Sequence, residues 1–150
     1  MTDLPRVARV LYFAYAAAFI VFGALSVAAT PTEMQWLYGM EPRVVPEGAI
    51  LLNQYRFLRV VEVGFGLLLL VFRREVFTEP RANAAVLGVF FAIPASRTLS
   101  IVLDGWSGTF LFTFMLAEYA IFVVLALGSR TALRAQRERR VPTHMLHPRG

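Results

Sequence analysis

Cysteine is absent from this 150-residue chain. No disulfide, thiolate metal site or thiol nucleophile is available to it. Lysine is absent as well, and all fifteen basic residues are arginines. That removes Schiff-base and lysine general-base chemistry. The two histidines, His144 and His147, fall near the end of the chain. No apolar segment therefore offers a histidine ligand to haem. Their spacing of three can serve a metal, but two histidines without a third ligand do not define a metal site. No metal and no cofactor is predicted.

What is abundant is apolar. Hydrophobic residues make up 57% of the chain, above the roughly 45–50% of soluble domains. Four stretches, 7–29, 50–72, 84–103 and 110–127, approach or exceed the about 20 helical residues needed to cross a hydrocarbon core. The first has the look of a signal peptide. It is longer than an ordinary h-region, and Ser26-Val27-Ala28-Ala29 makes a poor cleavage site, so it is read as a helix. The prediction is an all-α integral membrane four-helix bundle over 1–128, with a basic tail over 129–150.

The arginines sort by connection. Arg6 and Arg9 lie at the start of the first helix, Arg73, Arg74 and Arg81 lie between the second and third, and six arginines follow the fourth. The other two connections hold only Arg43. The positive-inside rule then predicts both termini in the cytoplasm. Arginine-only usage with abundant Ala and Val suits a GC-rich bacterial genome, hence the bacterial cytoplasmic membrane. The net charge of +5 reads as a topological signal and not as a nucleic-acid face.

The longest outer connection, 30–49, contains Thr32-Glu33-Met34-Gln35, which fits a capping box with Thr32 at the N-cap. Trp36 and Tyr38 suit an interfacial aromatic belt. A short interfacial helix is expected there, ended by Gly39 and Pro42, serving as an anchor or as a lid. Asp104-Gly105-Trp106-Ser107-Gly108 reads as a tight turn. Residues 129–140 prolong the fourth helix beyond the membrane or lie on anionic headgroups. Residues 141–150 carry no structural signal.

Six charges lie within or directly at the end of the last three apolar stretches: Arg56, Arg59, Glu62, Arg97, Asp104 and Glu118. One charge near the bilayer centre costs roughly 2.5–3.5 kcal/mol, so six left unpaired would cost roughly 15–20 kcal/mol. Counting from the helix ends places all six between the midplane and the outer surface. Arg56, Arg59 and Glu62 step by three along one side of the second helix. Arg97 and Asp104 share a face of the third. Asn53 and Gln54 extend the polar strip, Ser96 and Ser100 flank Arg97, and Pro94 removes a backbone hydrogen bond just before it. Gly64, Gly66 and Gly88 permit close helix contact.

Two readings stand. One is an ion-pair network that fixes helix register, for which the planar arginine fork is suited. The other is an outer-facing polar pocket bounded by the second, third and fourth helices, taking an anionic or lipid-like ligand or relaying a proton through Glu62 and Glu118.

At these residues the chain resembles DUF4345, a family of four-helix bacterial membrane proteins with DoxX-like hydropathy. The matching pieces are Tyr55-Arg56 and Glu62 with its following glycines, Ser96-Arg97, Asp104-Gly105 and Glu118, over roughly 53–127. The chain carries Ser96 where the family pattern usually has a glycine. The resemblance implies a four-helix bundle and no established activity, so no catalytic residue follows from it.

Three functions compete. The first is an accessory or structural subunit, or an assembly factor, that packs against a larger membrane complex through an apolar face including Phe90, Phe91, Phe110, Phe112 and Phe114; a homo-oligomer is the other partner arrangement. The same aromatic run also suits plain lipid contact. The second is binding or transport of a small lipophilic or anionic molecule. The third is a membrane enzyme limited to carboxylate chemistry at Glu62, Asp104 or Glu118.

Overall fold

The computed structural model describes residues 3–106 and 108–140. These form four helices and a 3-10 turn: α1 (Leu4–Tyr38), α2 (Gly48–Val71), the turn Glu75–Phe77, α3 (Pro80–Asp104) and α4 (Thr109–Arg140). No strand occurs among the described residues. α1, α3 and α4 are long and apolar enough to cross a membrane. α2 has 24 residues but carries Arg56, Arg59 and Glu62 within them. Ser107 of the α3–α4 turn, the ending 141–150 and the His144/His147 pair lie outside the described residues.

The separate interfacial helix expected after residue 30 does not form. α1 runs unbroken through Pro31 to Tyr38, so Thr32 is an interior helical residue and caps nothing. A proline inside a helix frees the carbonyl four residues back, here Val27. Thr30 supplies the remedy. It is fully buried, and its hydroxyl donates to the Ser26 carbonyl at 2.6 Å and reaches the Val27 carbonyl at 3.3 Å. The end of the helix is where a left-handed residue permits it. Gly39 has φ 63° and donates its N–H to the Gln35 carbonyl at 3.0 Å, a common helix stop. The basic segment 129–140 prolongs α4, one of the two forms expected for it.

The chain falls into two compact units, one comprising Tyr12–Val71 and the other Met1–Leu11 with Phe72–Gly150. Tyr12–Val71 is an antiparallel hairpin of α1 and α2. Contacts move up α1 as they move down α2, from Tyr12–Leu69 through Phe19–Phe65 to Tyr38–Tyr55. Gly66 makes the close approach possible. A Cβ there would lie 2.8 Å from the Ala16 carbonyl oxygen and from the Ile20 side chain. At the end of α2, Leu69 is among the carbonyls left without an intrahelical donor. The buried Tyr12 hydroxyl donates to it at 2.7 Å.

The other unit packs α3 against α4, with the first turns of α1 and the 3-10 turn at one end. A Cβ on Gly128 would sit 2.4 Å from the Ala8 Cβ and 2.9 Å from the Leu4 carbonyl oxygen. The 3-10 turn is tied to α3 by the buried Asn83 amide, which donates to the Val76 carbonyl at 2.9 Å. Arg9 of α1 lies over the Phe77 ring, 5.4 Å from its centroid.

Two expectations about packing are corrected. Of the three glycines assigned to helix contacts, Gly64 and Gly88 face open space. Gly23 and Gly128 take that role beside Gly66. Phe90, grouped by sequence with a lipid- or partner-facing run, is a core residue with 2% exposure. Phe91, Phe110 and Phe114 are exposed, and Phe112 is half-buried with its ring 5.0 Å from that of Trp106.

Candidate functional site

In the α1–α2 hairpin the charges converge on Arg59. Its Nη1 donates to both carboxylate oxygens of Glu62, at 3.0 and 2.7 Å. Its Nη2 donates to Glu33 Oε1 at 2.5 Å and also to the Tyr55 hydroxyl. The guanidinium carbon lies 4.6 Å from the centroid of the Tyr55 ring. Helix geometry explains the α2 half of this group. Tyr55, Arg59 and Glu62 are spaced by four and three, so they share one face. Glu33 comes from α1 and arrives only because α1 continues past Pro31.

Glu33 is the residue that sequence reasoning missed. The capping-box pattern assigned it to a surface helix. The available signal was Thr30 before Pro31, a hydroxyl able to reach the carbonyl that proline frees. The group holds two carboxylates against one guanidinium. Two of its buried atoms, Glu33 Oε2 and Arg59 Nε, have no hydrogen-bond partner.

In the α3–α4 unit, Arg97 meets Glu118. Nε donates to Oε2 at 2.9 Å and Nη2 to Oε1 at 3.3 Å. This is the bidentate fork geometry that guanidinium and carboxylate favour. The Glu118 side chain is 5% exposed and that of Arg97 37%. Phe114 places its ring 5.8 Å from the Arg97 guanidinium carbon. Thr98, one residue on, contacts the Tyr119 hydroxyl at 2.9 Å and Met115 Sδ at 3.3 Å. The α3–α4 seam is therefore polar over one full turn. Pro94 is buried, and α3 remains one helix around it. The Thr98 hydroxyl also donates to the Pro94 carbonyl at 3.0 Å.

The remaining two candidates are peripheral. Asp104 is exposed at the end of α3 and accepts a hydrogen bond from Ser100 at 2.8 Å. Arg56 is exposed and forms no ion pair among the described residues.

These features define a class of protein: all-helical chains with several apolar helices of membrane-spanning length, carrying arginine–carboxylate pairs between neighbouring helices. The family described as "Domain of unknown function (DUF4345)" matches residues 7–128. The chain belongs to that family. No curated protein and no solved structure matches it.

Proposed function

We propose that this is a four-span protein of the bacterial cytoplasmic membrane, with both ends in the cytoplasm, that acts as an accessory or structural subunit of a membrane complex. One observation carries the structural role. Arg97 is taken up bidentately by a Glu118 that is 5% exposed. A charge spent on its neighbour in this way fixes helix register and is not free for a reactant. Arg59 is held similarly by Glu33 and Glu62. Such pairing lowers the cost of charges in a hydrocarbon layer, and it supports α2 as a fourth span.

The test is the size of the native assembly. The full chain, tagged and extracted in mild detergent, should migrate with a distinct protein in fixed stoichiometry. Recovery only as monomers or small homo-oligomers of the 16.8 kDa chain would argue against a subunit role. A reporter fused after Gly150 should behave as cytoplasmic.

A second reading has its own support in the unpartnered Glu33 Oε2 and Arg59 Nε. One atom accepts and the other donates, which suits water or the hydroxyl or amide group of a lipophilic molecule. Two carboxylates per guanidinium disfavour an anion there. A lipophile that co-purifies with the protein and is lost in Arg59→Gln would favour this reading over the subunit role.

A further inference from the structure

The positive charge at the basic end of the α3–α4 unit is arranged. Along the last turns of α4 the residues turned inward are Ser129, Ala132, Leu133 and Gln136, which are buried or half-buried. Arg130, Arg134 and Arg137 are exposed. Their spacing of four and three puts them on one face of the helix. The packing of Gly128 against Leu4 and Ala8 brings the start of α1, with exposed Arg6 and Arg9, to the same end of this unit. None of these five arginines forms an ion pair among the described residues.

Length sets their level. α4 has 32 residues, about 48 Å at about 1.5 Å per residue. The hydrocarbon core takes up about 30 Å. A crossing that begins at Thr109 leaves the core near Gly128. Arg130, about 3 Å further on, then falls within the headgroup layer, roughly 5–8 Å deep on each side, and Arg134 and Arg137, about 9 and about 14 Å further on, lie past its outer edge. Long arginine side chains reach toward headgroups from such positions.

We propose that this face binds anionic phospholipid headgroups, with the Arg130–Arg134–Arg137 stripe as its centre and Arg6 and Arg9 beside it. The chemistry of recognition is phosphodiester oxygens against guanidinium forks that form no ion pair among the described residues. Charge complementarity and depth select the occupant. The stripe sits where a membrane-spanning helix meets phosphates and not on a domain projecting into the cytoplasm. The inference is independent of the subunit reading, because an isolated chain would bind these lipids equally well.

The test uses the full chain purified in neutral detergent. Thermal unfolding is followed while phosphatidylglycerol, phosphatidylcholine or polyglutamate is added. Phosphatidylglycerol should raise the midpoint, and phosphatidylcholine should not. Salt at 0.5 M should abolish the difference, since the attraction is screened. Apparent affinity for phosphatidylglycerol should drop on the order of fivefold per arginine removed, or about two orders of magnitude in R130Q/R134Q/R137Q. Arg43→Gln, in the α1–α2 connection, should bind as the parent does. If the triple variant does not fold, the three single variants and the salt series of the parent decide. Equal stabilisation by both lipids, or variants that bind phosphatidylglycerol as the parent does, overturns the proposal. A response to polyglutamate without one to phosphatidylglycerol also overturns it, and would assign the face to an acidic protein.

Discussion

Breaking the Arg97–Glu118 pair from each side should give unequal losses. Removing one member of a buried ion pair typically costs about 3–5 kcal/mol, because the other is left charged and unpaired. The two members here differ in exposure, 37% for Arg97 and 5% for Glu118. Glu118→Ala strands the arginine, which is the more exposed of the two and lies near the Phe114 ring. Its loss should fall near the lower limit, about 3 kcal/mol. Arg97→Met strands the nearly enclosed carboxylate and should approach about 5 kcal/mol. R97M/E118L leaves no charge behind, and apolar replacement of a buried pair is often neutral or better. The double variant should therefore lie within about 2 kcal/mol of the parent. The assay is unfolding of purified protein in mixed micelles, followed by helical circular dichroism. Glu79→Ala is the control, since Glu79 is exposed and makes no capping bond, and its effect should stay within about 0.5 kcal/mol. Glu75 would be a poor control, because its Oε2 is buried without a partner. Single losses that simply add in the double variant, to within about 0.5 kcal/mol, would show that the pair does not couple α3 to α4.

Other outcomes follow from packing. Gly128→Leu should destabilise by about 1–3 kcal/mol through overpacking against Ala8 and Leu4, whereas Gly64→Ala, which meets no atom within 4 Å, should be neutral or stabilise by up to about 1 kcal/mol; matched unfolding curves of the two variants check this. Tyr12→Phe leaves the buried Leu69 carbonyl without its donor and should cost about 1–3 kcal/mol. Hydrogen exchange at the end of α2 should quicken in that variant, and unchanged protection there would count against the bond.

The sequence alone determined the class, because the signals are local. A run of about 20 apolar residues is helix-forming and membrane-compatible whatever its neighbours do. Gly105 and the segment 42–47 break helices by their own backbone chemistry. That Arg97 and Glu118 both fall between the midplane and the outer surface could also be counted from helix ends. Tertiary structure decided which groups meet. Whether Thr32-Glu33-Met34-Gln35 starts a helix or lies inside one turns on Pro31, and the buried Thr30 hydroxyl reaches the Val27 carbonyl that the proline frees. Only the continuous α1 carries Glu33 to Arg59, the ion pair that residue spacing did not reveal. Likewise, Gly128 is a contact and Gly64 is not because of which helix faces which, a property of two chain segments at once. Spacing along one segment constrains its own faces, and packing between segments determines what those faces touch.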